Sequence, residues 1–333
     1  MNSTSPIRVT GIGSWPGTDM ADAIKITFAE CPDLPYLPEL PARGGYAAMI
    51  GRSTALLADL AVDLQPAGWR LTDGSGRDHR LAIATLRADL DLLEEHAQGY
   101  AGPLKYSVAG PWTLAATMER PRGDRVLADH GARRDLAQSL AEGIAELVVE
   151  MRRRLPATTP LVQLDEPLLP AVLAGSVPTA SGFSRHRSVD APEMSAALSQ
   201  LVERLRAAAD TDVLVHCCAA DPPVDLLHGV GIRGLLIDLD QLGRVEWDAI
   251  GPALETGWEV GLGARPANRA LTADQLARRV LPALRDLGVD PERIGQLMLT
   301  PACGLASATL PEAIAALRAL RGAADIVSEQ LAS

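Results

Sequence analysis

What most constrains the fold of this chain is a repeating alternation. Short β-rich runs recur, each followed by a polar or Gly/Pro loop and then a long Ala-, Leu- and Arg-rich segment, several with apolar residues at helical spacing. The runs cover 7–14, 69–73, 104–109, 161–165, 212–218, 234–240, 258–263 and 296–300. Helices are predicted from about residue 19, through 56–60, and over 81–97, 133–154, 194–209, 273–287 and 311–331, while 31–45 reads as a Pro-dense loop. No repeat is visible at the level of residue identity, and no shift in composition marks a linker. Eight strands alternating with helices predict an α/β protein: a single-domain (β/α)8 TIM barrel over 1–333, with 311–331 as its last helix. An open doubly wound sheet is the competing fold, but it needs fewer strands and no strand here ends in a convincing G-x-G-x-x-G turn.

Apolar residues make up 47% of the 333 positions and aromatics only 3%, so the core must be aliphatic. A net charge of -11 argues against nucleic acid, which needs a concentrated basic surface. Residues 1–6 have no leader-like pattern and no apolar stretch reaches membrane length, so a cytoplasmic protein with no membrane partner is expected. In a reducing compartment the four cysteines read as thiols or metal ligands.

Ser14, Asp73, Asp165, His216, Cys218, Asp238 and Cys303 all fall at or just past the end of a predicted strand. In a barrel those ends converge on one face, where active sites of this fold lie. Strand alternation points His216 and Cys218 to one side and Cys217 to the other, into packing between sheet and helices. With Cys303 at another strand end, an imidazole and two thiols fit zinc best; Asp238 is the candidate fourth ligand and Asp240 the reserve. The bland alternative is a buried thiol beside a satisfied core histidine. Cys31, in the Pro-rich loop, reads as structural.

Asp165 and Glu166 are sent to opposite faces, which leaves Asp165 to hold a substrate ammonium and Glu166 to support or cap. The Gly11-Ile12-Gly13-Ser14 turn offers close approach and N–H donors suited to a carboxylate. Most of the other histidines read as surface residues, and His186 as part of a lid loop over 181–190. No G-x-S-x-G elbow, P-loop or H-E-x-x-H is present.

His216-x-Cys218, Pro301-x-Cys303-Gly304-Leu305, Ile12-Gly13-Ser14 and Gln163-Leu164-Asp165-Glu166-Pro167 together resemble the catalytic C-terminal barrel of cobalamin-independent methionine synthase, in register from about residue 9 to 320. The resemblance implies a zinc-dependent methyltransferase that methylates the thiol of homocysteine to give methionine. It implies His216, Cys218 and Cys303 as catalytic zinc ligands, with Asp238 where the family usually has Glu, one methylene longer. It further implies Ser14 for the substrate carboxylate, and Asp165 and Glu39 for its ammonium.

The family's full-length enzyme carries an additional N-terminal barrel that helps bind the polyglutamate tail of methyltetrahydrofolate. The implied donor is therefore either methyltetrahydrofolate or a methylcorrinoid protein. The alternatives are a methylcobalamin:thiol methyltransferase acting on another thiol, a non-catalytic zinc-binding barrel, or a decarboxylase-like relative with incidental cysteines.

Overall fold

The computed structural model describes residues 7–266 and 269–332. The N-terminal residues read above for a leader lie outside that range. Among the described residues nine strands form: β1 Arg8–Val9, β2 Ala61–Gln65, β3 Gly68–Thr72, β4 Gly102–Ala109, β5 Thr158–Asp165, β6 Asp212–Cys217, β7 Gly234–Asp238, β8 Glu259–Arg265 and β9 Leu297–Pro301. Seven of them make one parallel sheet in the order β1-β9-β8-β7-β6-β5-β4. The α-helices of the described residues are α1 Met20–Glu30, α2 Met49–Thr54, α3 Arg77–His96, α4 Pro111–Thr117, α5 His130–Arg154, α6 Leu169–Leu173, α7 Ala191–Ala209, α8 Val224–Gly229, α9 Arg244–Glu255, α10 Ala273–Asp286 and α11 Leu310–Ala332. No helix among the described residues is long and apolar enough to cross a membrane.

Most of the sheet strands are buried on both faces, as expected where helices cover a parallel sheet. The sheet curls around a small inner cluster of Ile12, Leu34, Leu161, Leu214, Leu236 and Met298. A far larger cluster lies between the sheet and the helices, with Leu140, Ile144, Leu198 and Leu205 from α5 and α7 and Leu276, Val280, Leu317 and Leu320 from α10 and α11 among its members. The helix periodicity in the sequence is thus what builds the outer layer.

Two expectations need correction. The run 69–73 is not in the parallel sheet: it is the second arm of an antiparallel hairpin, β2 with β3, in register from Ala61↔Thr72 to Gln65↔Gly68. Its neighbour is Glu119, after α4, through Leu71 N–H to the Glu119 carbonyl (2.8 Å) and Glu119 N–H to the Trp69 carbonyl (2.9 Å). Asp73 is therefore exposed beside that hairpin and not at a sheet-strand end. The helix expected at 56–60 is also displaced: α2 ends at Thr54 and 56–60 is turn.

Residues linking both edges of the sheet come instead from the Pro-dense 35–39 stretch. Lys105 of β4 donates its N–H to the Pro35 carbonyl (3.0 Å), and Leu37 donates to the Lys105 carbonyl (3.0 Å). Glu39 then donates to the Gly13 carbonyl (3.0 Å), and Trp15 to the Glu39 carbonyl (2.8 Å), just beyond β1. In a regular strand the N–H groups of residues 37 and 39 point the same way. Here they serve opposite neighbours, so the chain turns at Pro38 and only isolated parallel bridges, Tyr36↔Lys105 and Ser14↔Glu39, form.

Helix α5 packs backbone to backbone on the 56–58 turn, where Ser139 Oγ donates to the Ala58 carbonyl (2.6 Å). A Cβ on Gly143 would stand 1.5 Å from the Leu56 carbonyl oxygen. Gly143→Ala is therefore expected to cost about 1–3 kcal/mol through overpacking. Denaturant unfolding checks this, and a variant as stable as the parent would contradict the close approach.

Candidate active site

The parallel register brings the polar residues together. Asp165 pairs with His216, Gln163 with Leu214, and His216 with Leu236. Leu214 and Leu236 belong to the inner cluster, so Gln163, Asp165 and His216 share the inner face at the C-terminal half of β5 and β6. His216 is buried, with Nδ1 2.9 Å from Asp165 Oδ1. Its Nε2 lies 3.4 Å from the carbonyl oxygen of Ala302, the residue before Cys303. Just beyond β6 and β9, Cys218 and Cys303 meet with their Sγ atoms 3.8 Å apart, although 85 positions separate them.

A hydrogen bond from the Cys218 thiol, the neighbouring His216 and the Gly304 N–H outweigh partial burial and hold the Cys303 thiol down to about 6. Cys218 moves the opposite way, because it donates that bond and sits partly buried among negative neighbours. One thiol of the pair is thus set up as a thiolate and the other as its donor. Cys217 is fully buried, and burial pushes its thiol up to about 12. Cys31, at the C-terminus of α1, is buried with its thiol also pushed up to about 12. Both are free cysteines placed for packing.

The donor set fits zinc in one respect and is incomplete in another. Two thiolates on one tetrahedral zinc at Zn–S of about 2.3 Å stand about 3.8 Å apart, which is the separation seen. The Nε2 of His216 faces a carbonyl oxygen, so with the ring proton on Nδ1 two acceptors oppose each other and call for a cation. Yet no three His, Cys, Asp or Glu side chains among the described residues are gathered at metal-holding geometry. Asp238 ends β7 in the position beside Cys218, one step past the Cys217↔Ile237 pair, but its carboxylate accepts the Asp240 N–H at 3.0 Å as a cap. Asp240 itself is ion-paired with Arg279.

Around this pair lie the acidic and hydroxyl groups expected to meet an amino acid. Ser14 and Glu39 are held side by side by the two backbone bonds already described. Glu39 is buried, its Oε1 has no hydrogen-bond partner among the described residues, and burial, against the pull of Arg52 and Lys105, raises its carboxyl to about 7. Ser14 packs on the thiol loop. Its carbonyl accepts the Leu305 N–H (2.8 Å), and a Cβ on Gly304 would fall 1.8 Å from Ser14 Oγ. Glycine after Cys303 is a steric requirement of that contact.

Glu166 faces away, as alternation requires. It is buried and accepts from the N–H groups of Trp112 (2.9 Å) and Thr113 (2.7 Å) and from Thr113 Oγ1 (2.7 Å), tying β5 to the start of α4. His79 and His186 are not surface residues: both are buried, and His186 Nε2 stands 3.2 Å from Asp124 Oδ1. Two site residues carried no role in the sequence reading. Lys105 is fully buried, and Gln163 bonds to it and to Asp165. The available signal was Lys105 and Ser107 alternating within an otherwise apolar run.

Comparison with solved structures places this geometry in context. A B12-independent methionine synthase from Shewanella sp. W3-18-1, solved in complex with selenomethionine, superposes with a TM-score of 0.64 at 15% identity, covering 98% of this chain and 99% of that one. A methyltransferase from Methanosarcina mazei gives 0.58 at 13% identity, covering 96% and 94%. No curated protein sequence matches the chain. The sequence model described as "Cobalamin-independent synthase, Catalytic domain" matches residues 101–326. With more than half of its length so matched, the chain belongs to the cobalamin-independent methionine synthase catalytic-domain family and is a methyltransferase.

Proposed function

We propose that this methyltransferase methylates the thiol of homocysteine, forming methionine, at a zinc site made by Cys218, Cys303 and His216. The observation that carries the reading is the 3.8 Å separation of two distant thiols beside a buried imidazole. Asp238 is the fourth ligand in this reading, once its carboxylate exchanges the Asp240 N–H for the metal. Zinc bound there supplies the Lewis acidity that keeps a substrate thiol deprotonated at neutral pH.

The chain's own residues handle the rest of the substrate. Glu39, whose buried Oε1 has no partner among the described residues, and Asp165 receive the ammonium. Ser14, over the Cys303 loop, receives the carboxylate. These contacts hold the sulfur end against the two cysteines and select amino thiols over simple ones. The selenomethionine in the Shewanella structure supports a sulfur- or selenium-containing amino acid in this pocket. Sulfur then forms an S–CH3 bond as the methyl group's bond to nitrogen in methyltetrahydrofolate, or to cobalt in a methylcorrinoid protein, breaks. The reading includes closure of the sheet by residues 35–39 into a single-domain (β/α)8 barrel, and a cytoplasmic location.

Metal analysis of the purified protein should find about one zinc per chain, lost in Cys218→Ser and in Cys303→Ser. Full zinc in both variants would rule the site out. Methyl transfer to homocysteine, assayed with methyltetrahydrofolate and methylcobalamin side by side, should give methionine with at least one donor; product from neither contradicts homocysteine as the acceptor. Ammonium binding needs Glu39 ionised, and its carboxyl lies at about 7. The KM for homocysteine should therefore fall as pH rises through about 7, and Glu39→Gln should raise KM and flatten that limb. A limb that persists in the variant would assign the titration elsewhere.

A further inference from the structure

Between the end of β8 and the start of α11 lies a cavity of about 300 Å³, lined by Arg265, Arg269, Ser307, Ala315 and Ala316 among others. Arg265 is only 6% exposed, and its Nη1 is buried with no hydrogen-bond partner among the described residues. Alternation alone would not aim it there. Gly261 faces the inner cluster, since a Cβ on it would meet Leu236 at 2.7 Å, and unbroken alternation would keep Arg265 on that same side. A β-bulge intervenes: Gly263 pairs with Thr300 and Arg265 with Pro301, so two residues of β8 oppose one of β9. Because Met298 lies in the inner cluster, Pro301 falls on the outer side, and Arg265 beside it is turned toward α11.

A guanidinium buried without an acceptor is costly, and the acid at hand does not satisfy it. Glu312, in the first turn of α11, also lines the cavity, but its Oε2 accepts from the Thr309 N–H (2.8 Å) and the Thr309 hydroxyl (2.7 Å). It attracts Arg265 through space, yet burial still disfavours the arginine's charge. The cavity therefore lacks an acceptor for Nη1. One of its walls is the loop that carries Cys303: Ser307 and Ala308 line it, and the Ala302 N–H donates to the Arg265 carbonyl (2.9 Å). In (β/α)8 barrels the loops after the last two strands, beside a helix N-terminus, are a recurrent place for phosphate.

We propose that this cavity binds an oxyanion, a phosphate or a carboxylate, on Arg265, and that the group belongs to the methyl donor. The guanidinium suits the role because its fork donates parallel hydrogen bonds to one oxyanion. So small a cavity takes an anionic end and not a whole donor, and the wall it shares with Cys303 leaves the rest of the molecule beside the thiols. Two donors carry this chemistry, methylcobalamin as a phosphodiester and methyltetrahydrofolate as a glutamate carboxylate. The donor assignment rests on the homocysteine-methylating reading, whereas the oxyanion site does not.

Calorimetric titration of the intact protein with inorganic phosphate, and separately with acetate, at constant ionic strength reads the site without any activity. At least one anion should bind saturably, and Arg265→Met should raise its dissociation constant at least about tenfold. Arg265→Lys, which keeps the charge and loses the fork, should fall between the two. No saturable binding to the parent, or equal affinity in parent and Arg265→Met, overturns the site. Since the guanidinium has no partner to lose, Arg265→Met should unfold at no lower denaturant concentration than the parent. A destabilised or unfolded variant would make the arginine a structural prop and overturn the proposal too. Kinetics then separate the sources: Arg265→Met should raise KM at least about tenfold for methylcobalamin if the group is the phosphodiester, or for methyltetrahydrofolate if it is the carboxylate, with KM for homocysteine and zinc content changed no more than about twofold. Anion binding lost with no rise in KM for either donor overturns the donor assignment alone. If neither donor reacts, the homocysteine reading falls and the donor assignment with it, while the anion titration still decides the site.

Discussion

The site depends on one hydrogen bond, between Asp165 Oδ1 and His216 Nδ1, made between paired residues of adjacent parallel strands. A one-residue slip of β6 against β5 would send the His216 side chain into the outer layer, because side chains alternate with period two. The aliphatic inner cluster beneath opposes such a slip, since Leu214 would leave it at the same time. Packing far from the thiols therefore sets the place of the imidazole. The imidazole in turn abuts the Ala302–Cys303 turn, and the same strand end carries Cys218 toward Cys303.

The buried charges around that bond are arranged in opposition. Lys105 and Arg52 face Glu39 and Asp165, and all four are buried. Burial lowers Lys105 to about 8, raises Glu39 to about 7, and each partly offsets the other. A buried charge without a partner is costly, so such groups persist where a partner or a function compensates them. Glu39 retains an oxygen with no hydrogen bond among the described residues, which suits a pocket meant to receive a cation.

Much of this was legible in the sequence because period and direction are local properties. The long amphipathic segments give α5, α7, α10 and α11 nearly at their predicted bounds, and alternation correctly separates Asp165 from Glu166 and Cys218 from Cys217. The edge-linking residues were not legible. Pro35, Pro38 and Pro41 suppress any strand pattern, and the segment is held extended by bonds to residues far away in sequence, among them Gly13 and Lys105. The run 69–73 misled because a hairpin arm and a sheet strand share the same alternation; its partner, 61–65, lies just upstream. Lys105 was passed over because nothing local distinguishes a charge facing the inner side of a curled sheet from one at a solvated edge. For Asp238, the shorter side chain was visible, but its bond to the Asp240 N–H was not.

The central claim is that Cys218, Cys303 and His216 present a metal to the sulfur of the substrate. X-ray absorption at the zinc edge tests it most directly, by counting sulfur neighbours before and after homocysteine is added. The account predicts two sulfurs at about 2.3 Å in the free protein and a third when homocysteine binds. A sulfur count unchanged by homocysteine, or a metal shell with no sulfur at all, would contradict it.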